Sequence, residues 1–272
     1  MSEELNPQVY SNRWADAVGS GDQASPRDFC RCIEQGSSRT QLPTGFHPER
    51  QDTTAPGWIR LLELVEEAAA DGREVFKPLV ELTAEERRQV ITLPPTIAKL
   101  TSVKHLVLYA SNLVRIPPEI GAMKSLEEFT PYTSYRLHWF PYEITRCPNL
   151  RDSTVSTRAL YGNYKRRPPF PPLSAAATGR QGGDFEDLDP GVWGATVIRT
   201  CSVCDRHIHG ADLHQVWISL KTSGADVLPL LVNACSTACI DALPTPPEGY
   251  VQVPHTGGES VSRPPAGRWP RQ

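Results

Sequence analysis

Four of the seven cysteines in this 272-residue chain stand in two close pairs, Cys201-Ser202-Val203-Cys204 and Cys235-Ser236-Thr237-Ala238-Cys239. Four thiolates at C-x2-C and C-x3-C spacing are what a closed tetrahedral zinc site requires. Such a site keeps no open coordination position, so the single structural Zn2+ expected here would hold the fold and would not activate water. Redox chemistry at Cys201-x-x-Cys204 is the rival, but it wants a βαβ context that this segment lacks. His207, His209 and His214 fall between the pairs and read as surface groups or as partners of the ligands, with a histidine in place of one cysteine left open. His47, His105, His138 and His255 form no readable spacing. Cys30-Arg31-Cys32 has one intervening residue, too few for a shared tetrahedral metal, and reads as two spectator thiols.

The elements around the four cysteines must bring the two pairs together. Ala195–Arg199 reads as a strand leading into a tight turn at the first pair. Leu213–Leu220 and Val227–Val232 are apolar runs separated by a Gly-bearing turn, a hairpin signal. The second pair is spaced i, i+4, so on a helix closed by Pro244 both sulfurs leave one face, near an N-terminus that favours thiolate. Turn, hairpin and helix-borne ligands in this order resemble a treble-clef zinc finger. The resemblance implies Cys201, Cys204, Cys235 and Cys239 as the ligands.

Ahead of this module the chain repeats itself. Leu93-Pro94-Pro95-Thr96-Ile97 recurs as Ile116-Pro117-Pro118-Glu119-Ile120 and as Phe140-Pro141-Tyr142-Glu143-Ile144, in steps of 23 and 24 residues. A second phrase recurs between them as Val103, Leu106, Leu108, then Leu126, Phe129 with Pro131, then Leu150, Val155, Leu160. These phrases resemble the leucine-rich repeat family. The resemblance implies an α/β fold: a short solenoid with a helical N-terminal cap, plus the small hairpin-and-helix zinc module. Ser111, Ser134 and Arg158 then fall where the family's asparagine ladder stands. The exposed strand positions would be His105, Val107, Tyr109, Glu128, Thr130, Tyr132, Asp152, Thr154 and Ser156, with Tyr135, His138 and Trp139 in the adjacent loop. Aromatic and mixed polar groups of this kind suit a protein partner, although Trp139 reads equally well as packed against the linker or cap.

Two helices fit the cap. Pro56 suits a first helical turn, and Trp58, Ile59, Leu61, Leu62, Val65 and Ala69 form an apolar stripe opposite Glu63, Glu66 and Glu67. Asp71-Gly72 ends it, and Thr83-x-x-Glu86 is a capping-box signature for a helix over Ala84–Val90. The expected organisation is an extension over 1–55, partly disordered, a helical cap over 56–92, repeats over 93–163 and a Pro/Gly-rich linker over 164–190. The zinc module then spans 191–250, with a disordered tail over 251–272. The linker opens with Lys165-Arg166-Arg167 and a proline cluster that favours extended backbone.

A formal charge of −3 and a pI near 6.2 give no general attraction to nucleic acid or anionic membrane. Over 191–250, Arg199, Arg206 and Lys221 face Asp205, Asp212, Asp226, Asp241 and Glu248, the wrong sign for a phosphate-contacting surface. No apolar run reaches 18 residues, and the first residues lack the charged-then-apolar pattern of a signal peptide. An odd number of cysteines without that signal points to a reduced, cytoplasmic protein. No nucleophile–base pair, phosphate loop or paired-carboxylate motif can be picked out. The expectation is therefore a monomeric, non-enzymatic scaffold or adaptor that binds another protein. A nucleic-acid-binding zinc protein and a ubiquitin-ligase-like enzyme using Cys30 or Cys32 are the alternatives.

Overall fold

Proline positions set the rhythm of the backbone. Each repeated phrase opens with a proline in extended geometry, Pro94 at φ −73° and Pro117 at φ −75°, and its chain then tightens into a short 3-10 segment. These segments are Pro95–Lys99, Pro118–Ala122 and Tyr142–Arg146, and they bury Ile97, Ile120 and Ile144. The computed structural model describes residues 46–47, 49–157, 159–162, 170–173, 200–208, 212–223, 226–258 and 261. Cys30, Cys32, Arg158, Lys165–Arg167, the expected strand over 195–199, His209 and Trp269 lie outside the described residues.

Helix α1 (Pro56–Asp71) buries Trp58, Leu61, Leu64, Val65 and Ala68 and ends at Gly72, whose φ of 67° suits a residue without Cβ. Helix α2 (Ala84–Gln89) carries the expected capping box. The Glu86 N–H donates to Thr83 Oγ1 (3.2 Å) and the Thr83 N–H to Glu86 Oε2 (2.8 Å). Strands β1 (Val75–Phe76), β2 (His105–Val107), β3 (Glu128–Thr130) and β5 (Asp152–Ser153) form a parallel sheet in that order. Its register pairs His105 with Glu128 and Glu128 with Asp152, so the strands step along the chain by the same 23 and 24 residues as the repeated phrase. Leu106 and Phe129 point inward and are fully buried. Ala110 and Thr133, one period apart, both adopt positive φ, 57° and 62°, so the left-handed bend after each strand is repeated too. Gly121 lets neighbouring turns of chain approach: a Cβ there would lie 2.6 Å from the Glu143 carbonyl oxygen.

The polar ladder differs in one position from the expected one. The Ser134 hydroxyl donates to the Leu108 carbonyl (3.1 Å), so the Ser111 hydroxyl is the donor in its 2.6 Å bond to Ser134. In the third turn of chain the Thr133 N–H donates to Ser156 Oγ (2.7 Å), and Ser156 is buried. Ser156 is therefore a ladder residue and not an exposed strand position. The longer third step shifts the alignment by two residues from Arg158.

The C-terminal hairpin pairs β6 (His214–Ser223) with β7 (Asp226–Ala234), and β4 (Phe140–Pro141) runs parallel to β7 with Phe140 opposite Leu230. The strands are longer than the apolar runs suggest because Ser223 and Asp226 still pair beyond them. One face carries Val216, Ile218, Leu228, Leu230 and Val232 into the core shared with the repeats, the cap, Cys201 and Cys239. The other face carries Trp217 and Leu231 into an aromatic cluster with Trp139, Tyr161, Phe170 and Leu173. Phe46 stacks on Trp217 at 5.6 Å, and the Trp217 indole N–H donates to the Pro171 carbonyl (3.0 Å). His255 bridges the free edge of β6 through two backbone bonds with Trp217. Packing thus reaches from residue 46 to 258, past the boundaries expected at 55 and 250. The reason is that Trp217 needs cover that neither hairpin nor repeats supply.

His138 and Trp139 are buried, not displayed in a surface loop. The His138 ring stacks on His47 at 5.1 Å, its Nδ1–H donates to the Ala159 carbonyl (2.6 Å), and its Nε2 lies 3.2 Å from His47 Nε2. Burial, then the neighbouring His47 and Arg136, push His138 down to about 3; burial alone pushes His255 down to about 4. Both folded values lie below the ordinary 6.5, so the unfolded chain binds more protons between about 3 and 6.5, and stability falls as pH drops through that window. Each group contributes about 1.4 kcal/mol per pH unit at most. The urea midpoint should therefore fall between pH 7 and pH 5, and His138→Gln should remove part of that slope. An unchanged slope in the variant would show that His138 is not among its causes.

Candidate metal centre and the outer sheet face

Cys201 lies at the start of a turn that Asp205 closes at φ 62°, with the Asp205 N–H donating to the Cys201 carbonyl (3.1 Å) and the Cys201 N–H to the Arg206 carbonyl (2.8 Å). The turn aims backbone donors at sulfur: the Val203 and Cys235 N–H groups each lie 3.4 Å from Cys201 Sγ. The second pair is arranged differently from expectation. Cys235 follows the end of β7, and only Cys239 is helical, in the five-residue α3 (Thr237–Asp241) capped by Ser236. The hairpin register extends to Ala234, so the backbone is still extended one residue before Cys235. The two sulfurs converge by a strand-to-helix turn and not along one helix face.

All four Sγ atoms lie within 4.8 Å of one another, with Cys204–Cys235 at 3.6 Å and Cys235–Cys239 at 3.7 Å. A tetrahedron with Zn–S of about 2.3 Å has edges of about 3.8 Å. The same distances are far too long for a disulfide bond, and all five described cysteines are free. The Arg206 Nε–H donates to Cys204 Sγ (3.5 Å) and holds that thiol down to about 6. Burial, then the neighbouring thiols, push Cys235 up to about 12. Four thiols this close cannot all ionise without a cation among them, and a divalent ion removes that conflict. The donor set fits a metal ion. His207 and His214 do not belong to the sulfur cluster.

Sequence reasoning missed the residues that hold this turn from outside. Glu143 and Arg146, on the 3-10 segment of the third repeat, reach Ser202 and the turn's carbonyls. Their counterparts in the earlier repeats, Thr96 and Lys99, then Glu119 and Ala122, give no pattern that would have marked them.

On the outer face of the parallel sheet, Glu128, Asp152 and Thr154 are exposed, and His105, Val107 and Thr130 are half-buried. Tyr109 and Tyr132 are 38% and 46% exposed, with ring centroids 6.2 Å apart. His105 Nε2 lies 2.9 Å from Thr130 Oγ1, and its Nδ1 lies 3.3 Å from a Glu128 oxygen. Tyr135 is exposed beside them. No helix among the described residues is long and apolar enough to cross a membrane.

No protein-family model matches the chain, and no curated protein does. Among solved structures, a leucine-rich repeat protein of Leptospira interrogans is similar over 35% of this chain and 35% of its own length, at 18% identity and a TM-score of 0.23.

Proposed function

We propose that the chain is a non-enzymatic interaction module: a short leucine-rich repeat solenoid, capped by helices at one end and sealed at the other by a hairpin with a structural zinc ion. The observation that carries the interaction role is the row of exposed tyrosines on consecutive strands. Tyr109 and Tyr132 stand in register with no packing demand to explain them, beside half-buried His105, Val107 and Thr130. Rigid aromatic groups on a regular sheet offer contact area with little ordering entropy, which suits a protein partner. An all-sulfur tetrahedral set favours zinc among common intracellular ions, and free cysteines suit a reducing compartment such as the cytoplasm. With both ends of the repeat stack covered, a monomer is the expected state.

The test is capture of a partner by the whole chain and by a Tyr109→Ala/Tyr132→Ala variant. Loss of two such aromatics should weaken binding at least tenfold while moving the melting temperature by only a few degrees, because both rings are largely solvated. Unchanged capture by the folded variant would move the interaction elsewhere.

A further inference from the structure

We propose that Arg146 and Glu143 are positioning residues for the metal turn, so that ion binding at the four sulfurs and docking of the third repeat are one coupled equilibrium. The proposal rests on the metal reading above.

A turn that aims N–H groups at a ligand sulfur must aim carbonyls the other way, and those carbonyls need donors. Arg146 supplies them. Its Nη2 donates to the Ser202 carbonyl (2.7 Å) and the Cys201 carbonyl (3.2 Å). The same nitrogen lies 2.6 Å from Asp205 Oδ1, and Asp205 is the left-handed residue that closes the turn. All three partners of this one guanidinium lie in the segment that carries the first cysteine pair. Glu143 works on the turn's interior. It is buried, and its Oε1 accepts the Ser202 hydroxyl (2.7 Å). Ser202 Oγ in turn accepts the Asn233 N–H (2.9 Å), and the Ser202 N–H donates to the Asn233 carbonyl (2.7 Å). Glu143, Ser202 and Asn233 thus form a chain from the third repeat, through the first cysteine pair, to the residue two before Cys235. Both ligand pairs are set relative to each other by this chain. Neither residue touches a sulfur, so both act through backbone geometry.

Coupling follows by linkage. An ion that closes the turn favours the conformation in which these bonds form, and the bonds favour ion binding by the same factor. A residue that only packs would stabilise the metal-free and metal-loaded protein equally and leave ion affinity unchanged.

The test uses the whole 272-residue chain. Zinc affinity is measured by competition with a chromophoric chelator, and the ligand field by the visible absorption of the Co2+-substituted protein. Arg146→Ala should weaken zinc binding about tenfold or more and shift the Co2+ bands, with Arg146→Lys recovering part of both. Glu143→Gln, whose amide oxygen can still accept from Ser202, should stay close to wild type, and Glu143→Leu should not. In the wild type, zinc should slow amide exchange several-fold across residues 142–147. Wild-type affinity in Arg146→Ala, or exchange in 142–147 that ignores zinc, overturns the positioning role alone. A wild-type chain that binds no ion at all overturns the metal reading, and this proposal with it. Should Arg146→Ala fail to fold, the Glu143 pair and the wild-type exchange decide.

Discussion

Stripping the ion with a chelator, or replacing Cys239 with serine, should lower the melting temperature by more than about 10 °C. Protein prepared without added metal should carry about one zinc per chain, and the Cys239→Ser variant much less. The turn and α3 contribute little apolar burial of their own: over 200–208 only Cys201 and Ile208 are buried hydrophobics, and α3 buries Cys239 alone. Folding of these segments must come from the ion, and binding at such sites contributes on the order of 10 kcal/mol. Domains of this size have total stabilities of about 5–15 kcal/mol, and about 1 kcal/mol moves the midpoint by 2–4 °C, so even a fraction of that loss gives the expected fall. The effect should deepen as pH drops toward 5, where protons compete for the thiolates. Proteolysis should open 201–208 and 235–243 first. Trp217 lies on the face of the hairpin turned away from Cys201 and Cys239, so its emission should follow unfolding of the whole sheet and not metal loss itself. A metal-free chain that melts at the native temperature and resists protease at 201–208 would sink the structural-metal reading.

The repeat geometry was legible because one spacing encodes two things. The 23- and 24-residue steps between Pro95, Pro118 and Tyr142 are also the steps between His105, Glu128 and Asp152, since each turn of chain must close before its strand can pair. The four sulfurs were legible because ligand spacing is a local property. What failed was non-local. Nothing in Cys235-x3-Cys239 says that β7 will hold its register through Ala234 and shorten the helix. Ser156 was misread because a ladder follows the three-dimensional stack, and the third step is one residue longer. Glu143 and Arg146 look like ordinary repeat residues until the hairpin lies against them. The aromatic cover of Trp217 is assembled from residues 46, 139, 161, 170 and 217, a separation that no periodic reading can bridge.

A fragment holding only residues 93–163 should fail to fold as a cooperative unit. At its N-terminal end, α1 and the segment after it cover the first repeat with Leu61, Leu64, Val65, Phe76 and Leu79, all in one core with Leu93, Ile97 and Val103. Exposing those three repeat residues costs about 1.5–3 kcal/mol each. Strand β2 also loses β1, its only neighbour on that side. At the other end β4 loses β7, and Glu143 and Arg146 lose every partner in the metal turn. Three turns of chain that bury their apolar rows only on one another cannot offset both losses, because each repeat is stabilised mainly by its neighbours. The fragment should be an aggregate or a molten species without a sharp thermal transition, whereas residues 46–258 together should melt in one step. Within the whole chain Leu64→Ala, a truncation at a fully buried cap position, should cost about 2–5 kcal/mol and appear as a shift of that single transition. A separate early transition for the cap in that variant, or a sharp melt from the isolated 93–163 fragment, would show that the repeats are an independent unit and that the cap only decorates them.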